Sequence, residues 1–123
     1  MPQPPAGYLI GFGWLYALHA RSSIARGKQW QAEYMISGMR DTALALACLR
    51  HGLPAVHGRG LHQLPAAVTN PFVAALVRTM DVAELRRAYA AGLELLAQEI
   101  RQADAELASR LAPALALLSQ SDF

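Results

Sequence analysis

The chain has 123 residues, 54% of them hydrophobic and 16% charged, with a formal net charge of +2. That length accommodates one core and not two, and that balance excludes a disordered chain while suiting a compact helical one. A surplus of two positive charges is too small for a nucleic-acid-grade basic surface, so an isoelectric point near 9.0 reads as arginine-bearing helix faces.

The opening "MPQPPA" is too rich in proline for regular structure, and residues 1–7 read as a linker remnant ahead of a single domain at 8–120. From Tyr8 to about Arg26 the residues are apolar on nearly every face, which predicts a buried helix stopped by Gly27. The triplet Gly11-Phe12-Gly13 follows no strand, so it carries no dinucleotide fingerprint. On such an apolar helix His19 reads as a core histidine. A second helix runs from about Lys28 to His51 and ends at Gly52, with Pro54 just behind. The single cysteine, Cys48, falls in its Ala/Leu run and reads as a small core residue of a reducing compartment.

Leu53–Pro65 mixes Gly, Pro and His without periodicity, which predicts a long mobile loop. "TNPFVAALVRTM" then restarts a helix, with Asn70 as N-cap and Pro71 at the first helical position. Asp81 and Glu84 stand in the relation of a capping box, and Leu85, Ala88, Tyr89, Leu93, Leu96 and Ile100 continue as an amphipathic stripe. A last helix from about Asp104 turns Leu107, Leu111, Leu115 and Leu118 inward, with a kink expected at Pro113. No strand or internal repeat is visible. The expected fold is all-α, an up-and-down bundle of four to five helices with the second one central. No apolar run approaches the ~20 residues of a membrane span, and no basic-then-apolar leader opens the chain, so the expected location is a bacterial-type cytoplasm.

The second helix raises the question of function, because it is apolar yet carries Glu33, Ser37, Arg40 and Asp41 in its first half. Charges seldom sit in such a helix unless they are paired or used. At 100° per residue Glu33, Ser37, Arg40 and Leu44 share one stripe, and Trp30, Tyr34, Asp41 and Cys48 the next. Seven residues separate Glu33 from Arg40, roughly 10 Å along the axis, with Ser37 between them to bridge by hydrogen bonds. One reading is a structural polar network between the first two helices. The other is a cleft with Glu33 and Trp30 at its mouth and Arg40 and Asp41 behind, Trp30 offering a platform for a polar ring or a cation. His51, His57 and His62 gather around the loop without the spacing of a zinc site, so no metal ligands are assigned. Arg50 and His57 have the Arg-x6-His spacing that resembles the ribonuclease motif of some HEPN helical domains, although Gly52 and Pro54 break the helix between them. The Arg86–Arg87, Arg101 and Arg110 charges read as solvated helix faces.

Across Gly27–Pro65 the sequence resembles the helical C-terminal region of bacterial nucleotidyltransferase-like proteins, which are similar to the aminoglycoside and lincosamide nucleotidyltransferases. The order and length of the flanking helices extend the resemblance over nearly the whole chain. It implies a preceding α/β domain, not contained in these residues, whose Gly-Ser and paired aspartates bind magnesium and a nucleoside triphosphate. The helical domain would close over it and line the pocket of a hydroxyl-bearing acceptor, small molecule or macromolecule. By that resemblance Glu33 is the catalytic carboxylate and Lys28 reaches the triphosphate. Trp30, Tyr34, Ser37, Arg40 and Asp41 would line the acceptor site. No cofactor is expected in this chain by itself, which is expected to be inactive without its partner domain. The competing expectation is a non-enzymatic HEPN-like bundle that binds a partner or forms a homodimer through the same face.

Overall fold

In the computed structural model, which describes residues 2–123, five α-helices and two short 3-10 segments form an all-α bundle with no strand among those residues. Helix α1 spans Ala6–Ala25 and α2 spans Gln29–Arg50. The turn between them is a glycine stop of the Schellman type: Gly27 adopts φ +72°, its N–H donates to Ile24 O at 3.1 Å, and Lys28 N–H donates to Ser23 O at 2.9 Å. Gly52 ends α2 the same way, at φ +69°, with Gly52 N–H on Leu49 O and Leu53 N–H on Cys48 O. Both stops fall where the sequence puts them.

A short helix α3 (Ala66–Thr69) runs into a 3-10 stretch at Asn70–Ala75. Helices α4 (Val82–Ala103) and α5 (Ala105–Leu118) complete the bundle, separated only by Asp104, whose carboxylate caps α5 by accepting from Leu107 N–H at 3.0 Å. Helix α2 packs against α1 on one side and α4 on another, as its central place in the expected bundle requires. Ile36, Met39, Leu46, Leu85, Tyr89, Leu96 and Ile100 are the largest side chains sealed inside. Gly13 admits Leu96 of α4 and Thr42 of α2 against the backbone of α1; a Cβ there would stand 2.8 Å from the Leu96 side chain. Ser23 and Thr42 are buried too, and the Thr42 hydroxyl is satisfied by donating to Gly38 O at 2.7 Å.

Several local expectations are corrected. Helix α1 begins at Ala6 and not Tyr8, and the segment ahead of it is tied down. Gln3 donates to Leu53 O at 2.5 Å and accepts from Ala55 N–H at 3.1 Å. Nor is α1 buried all round: Tyr8, Phe12, Leu15, Leu18 and His19 are exposed, so His19 is no core residue. The apolar content of α1 exceeds what one bundle face can bury. Asn70 does not cap a new α-helix; it is itself helical, and the segment tightens to 3-10. Phe72 and Ala75, three residues apart, anchor that segment in the core, a spacing that suits three residues per turn.

The Asp81–Glu84 capping box does not form. Glu84 instead takes Arg87 in a two-pronged ion pair, at 2.6 and 2.8 Å, and accepts from Arg78 N–H at 2.8 Å. Arg87 spends its other donors on Ala74 O and Leu76 O, closing the 3-10 segment, so it is not a solvated charge. Helix α5 is continuous through Pro113, which lies on its exposed side. Residues beyond the expected boundary at 120 also pack: Asp122 pairs with Arg21 at 2.8 Å, and the Phe123 ring lies edge-on to Tyr89 with the Arg21 guanidinium 4.5 Å above it.

Candidate functional site

A groove of about 710 Å³ lies along the outer side of the α1–α2 hairpin. Leu9 and Tyr16 form its α1 wall, and Glu33, Tyr34, Ser37, Asp41 and Cys48 its α2 wall; Pro54, Ala55, His57 and Leu61 close one end. Gly38 sets its depth. A Cβ at that position would land on the Tyr16 ring, so the absence of a side chain lets the ring lie directly on the α2 backbone.

Within the groove Glu33 is half-buried, and its Oε1 accepts from Ser37 Oγ at 2.9 Å, one helical turn on. No cation stands within ion-pairing distance of Glu33 among the described residues. The sequence expectation that Ser37 would link Glu33 to Arg40 therefore holds for one half only. Arg40 turns instead to its neighbour Asp41, with Nε at 3.1 Å and a terminal nitrogen at 3.0 Å from Oδ1. The lining carries two carboxylates and no lysine or arginine, and Arg40 offsets Asp41 from outside, leaving Glu33 as the uncompensated charge. Tyr34, Ser37 and Asp41 are in the lining as expected. Trp30 and Lys28 are not: Trp30 is 77% exposed on the surface before the groove, and Lys28 is exposed at the start of α2.

The loop at the end of the groove is more tightly packed than its composition suggests. Leu64 is buried with Ala47 and Cys48 in a small second core, flanked by Leu53, Ala55, Leu61 and Val68. Gly60 is buried where a Cβ would stand 2.5 Å from Pro54 O and 3.0 Å from Leu53 Cβ, so the loop closes on itself tightly. The strain is local: His57 takes a left-handed φ of 59°, followed by Gly58 at 69°. Burial under this loop pushes the Cys48 thiol above its ordinary range.

Arg50, the arginine of the Arg-x6-His spacing, is engaged elsewhere. It grips Glu99 of α4 with Nε on Oε1 at 2.9 Å and a terminal nitrogen on Oε2 at 3.0 Å, and touches His51 Nε2 at 3.1 Å. The hydrogen bonds it donates to Glu99 hold the guanidinium proton more tightly than usual. His51, His57 and His62 are all exposed, and no three His, Cys, Asp or Glu side chains among the described residues come together as metal ligands. A second groove, of about 500 Å³, runs between α4 and α5 over an alanine floor. Its only charges, Glu94 and Arg101, sit 3.6 Å apart, so it offers little chemistry.

Sequence reasoning missed the α1 wall of the groove and the Arg50–Glu99 pair. Gly38, in the middle of α2, was the available signal for the first, since a glycine inside a helix marks a close approach. For the second there was none, because 49 residues separate the partners. The described helices include none long and apolar enough to cross a membrane. Compared with known proteins, the chain matches no family model, no curated relative and no solved structure.

Proposed function

We propose that the chain is the helical acceptor-binding domain of a nucleotidyltransferase, with the α1–α2 groove as the acceptor site. The observation that carries this reading is Glu33, a carboxylate on the groove wall held by Ser37 and left without a cation. Such a group accepts the proton of an acceptor hydroxyl as it attacks phosphorus, help that is typically worth about 10²–10⁴-fold. The Tyr16 and Tyr34 faces, the Ser37 hydroxyl and Asp41 supply the ring contacts and hydrogen bonds that orient a hydroxyl-bearing molecule. A lining with two carboxylates and no Lys or Arg favours a neutral or cationic acceptor and disfavours a triphosphate in the same place. Lys28, five residues before Glu33 and exposed, would meet the triphosphate from outside the groove, and Trp30 would pack on the acceptor's outer edge.

Among the described residues no three His, Cys, Asp or Glu side chains come together, so no dedicated metal cage supports placing magnesium here. The proposal therefore places the metal and nucleotide on an upstream domain. The test is to incubate the chain with labelled nucleoside triphosphates, magnesium and hydroxylated acceptors, with and without a nucleotidyltransferase domain added as a separate chain. Transfer is expected only in the mixture. Transfer by the chain alone, or none in either arm, overturns the reading.

A further inference from the structure

Helix α5 is the least buried of the long helices. Of its 14 residues only Ala108 and Leu118 are buried, and the largest side chains sealed in the core all belong to α2 and α4. The groove of about 500 Å³ runs between α5 and α4, so the two are not closely packed along their length. A single residue joins them, Asp104, in an extended conformation at φ −158° and ψ 91°.

The far end of α5 is held differently. The Tyr89 hydroxyl of α4 donates to Leu118 O at 3.0 Å. Beyond the helix, residues 120–123 run back across the bundle as a strap. One terminal nitrogen of Arg21, on α1, donates to Gln120 O at 3.3 Å and to Asp122 Oδ1 at 2.8 Å. The Phe123 ring meets Tyr89 at 5.4 Å between centres, with the Arg21 and Arg86 guanidinium groups 4.5 and 5.7 Å from its own centre.

We propose that α5 and its strap form a latched flap, hinged at Asp104 and fastened where Arg21 takes Asp122 and Phe123. The fastening is built from parts that release readily. The Asp122 side chain is 74% exposed and that of Arg21 26%, so salt screens their attraction. Arg21 Nε is buried without a hydrogen-bond partner among the described residues, which offsets part of what its other bonds contribute. Phe123 is only half-buried. Opening the flap uncovers Tyr89, Leu93 and Ala97, the buried α4 side chains that adjoin α5 and the strap. It leaves the packing of α2 against α4 in place, because Ile36, Met39, Leu46, Leu85 and Leu96 lie there. None of the hinge or latch residues lines the α1–α2 groove, so the inference stands apart from the acceptor-site reading.

The experiment is native-state hydrogen exchange of the full chain, read segment by segment by mass spectrometry, with circular dichroism on every variant. Amides of α5 are expected to exchange at least about tenfold faster than those on the buried faces of α2 and α4. Asp122→Asn is expected to speed α5 about two- to fivefold, and raising sodium chloride from about 20 mM to about 1 M should do the same to wild type. Salt should then have no further effect on the Asp122→Asn chain. Phe123→Ala is expected to speed α5 at least about tenfold while α2 and α4 are unchanged. Ser121→Ala, exposed in the same strap, should change nothing. A flap moves as one piece, so residues 108–114 should respond as strongly as 115–118, whereas a fraying end responds only beside the strap. A response confined to 115–118 overturns the proposal. So does an α5 as protected as α4, or variants that speed all three helices alike. If Phe123→Ala fails to fold, the Asp122→Asn and salt arms decide, and an α5 indifferent to both overturns the latch.

Discussion

The pair between Arg50 and Glu99 ties the end of α2, and with it the closed end of the groove, to α4. Its worth is bounded by its exposure. The Glu99 side chain is 7% exposed and the Arg50 side chain 33%, so the pair stands between a surface bridge, worth about 0–1 kcal/mol, and a buried one, whose breakage costs about 3–5 kcal/mol. Replacing Arg50 with Met keeps the aliphatic stem and strands a desolvated carboxylate, which puts the loss at about 2–3 kcal/mol. Glu99→Gln retains one acceptor for Arg50 and leaves the more exposed charge free to turn to solvent; about 1–2 kcal/mol is expected. The double variant removes both the charge and its partner, so it is expected to be more stable than the sum of the single losses by at least ~1 kcal/mol. Urea unfolding at constant m-value measures all three free energies, and for a chain of this size each kcal/mol corresponds to about 4 °C in the thermal midpoint. An Arg50→Met variant within ~0.5 kcal/mol of wild type, or strictly additive single losses, refutes the argument that this pair holds the hairpin to α4.

Three other expectations follow from the same geometry. In the mixed-chain transfer assay, Glu33→Gln should lower turnover by at least about tenfold while the thermal midpoint stays within ~2 °C; lost stability with retained turnover makes Glu33 structural. The hydrogen bonds from Arg87 and from Arg78 N–H hold the Glu84 carboxyl down at about 2, from an ordinary 4.5. A depressed carboxyl stabilises the fold above its unfolded value and stops doing so as pH falls through its folded one. Wild type should therefore lose stability between about pH 4.5 and 2, and Glu84→Gln should lose measurably less over that interval; parallel curves exclude the pair as a source of acid sensitivity. Cys48, buried with its thiol pushed up, should react with an aromatic disulfide reagent only when the Leu53–Pro65 loop opens, and Gln3→Ala should speed that reaction several-fold. Equal rates would mean that Gln3 does not restrain the loop.

The elements legible in the sequence were those whose signal is local. Gly27 and Gly52 mark their helix ends because a left-handed residue is needed there and glycine adopts it freely. The stripe from Leu85 to Ile100 forms the α4 core face because its period is that of a helix. Asp104 caps α5 for the same local reason. Misreadings arose where tertiary partners compete for local groups. Glu84 has the spacing to cap Asp81, but Arg87 and the Arg78 amide offer it stronger, charge-assisted bonds. His19 looked buried because its neighbours are apolar, yet composition does not say which side of α1 the bundle covers. In the candidate site, the Glu33–Ser37 contact follows from a one-turn spacing and was readable. The expected role of Arg40 was not, because Asp41 is its immediate neighbour and captures it. Trp30 illustrates the same limit: it stands three residues before Glu33 on α2, yet it is exposed and outside the groove lining.

The two hydrogen bonds of Gln3 give the start of the chain a mechanical meaning. Its side-chain amide bridges Leu53 and Ala55 as a staple, and Ala55 is part of the rim that closes the groove. Pro2, Pro4 and Pro5 flank that staple, and proline fixes one backbone angle at each step, so a displacement applied at residue 2 is transmitted to Gln3 with little slack. The entry of the chain is thus fastened beside the groove's edge, at the two backbone groups that Gln3 bridges.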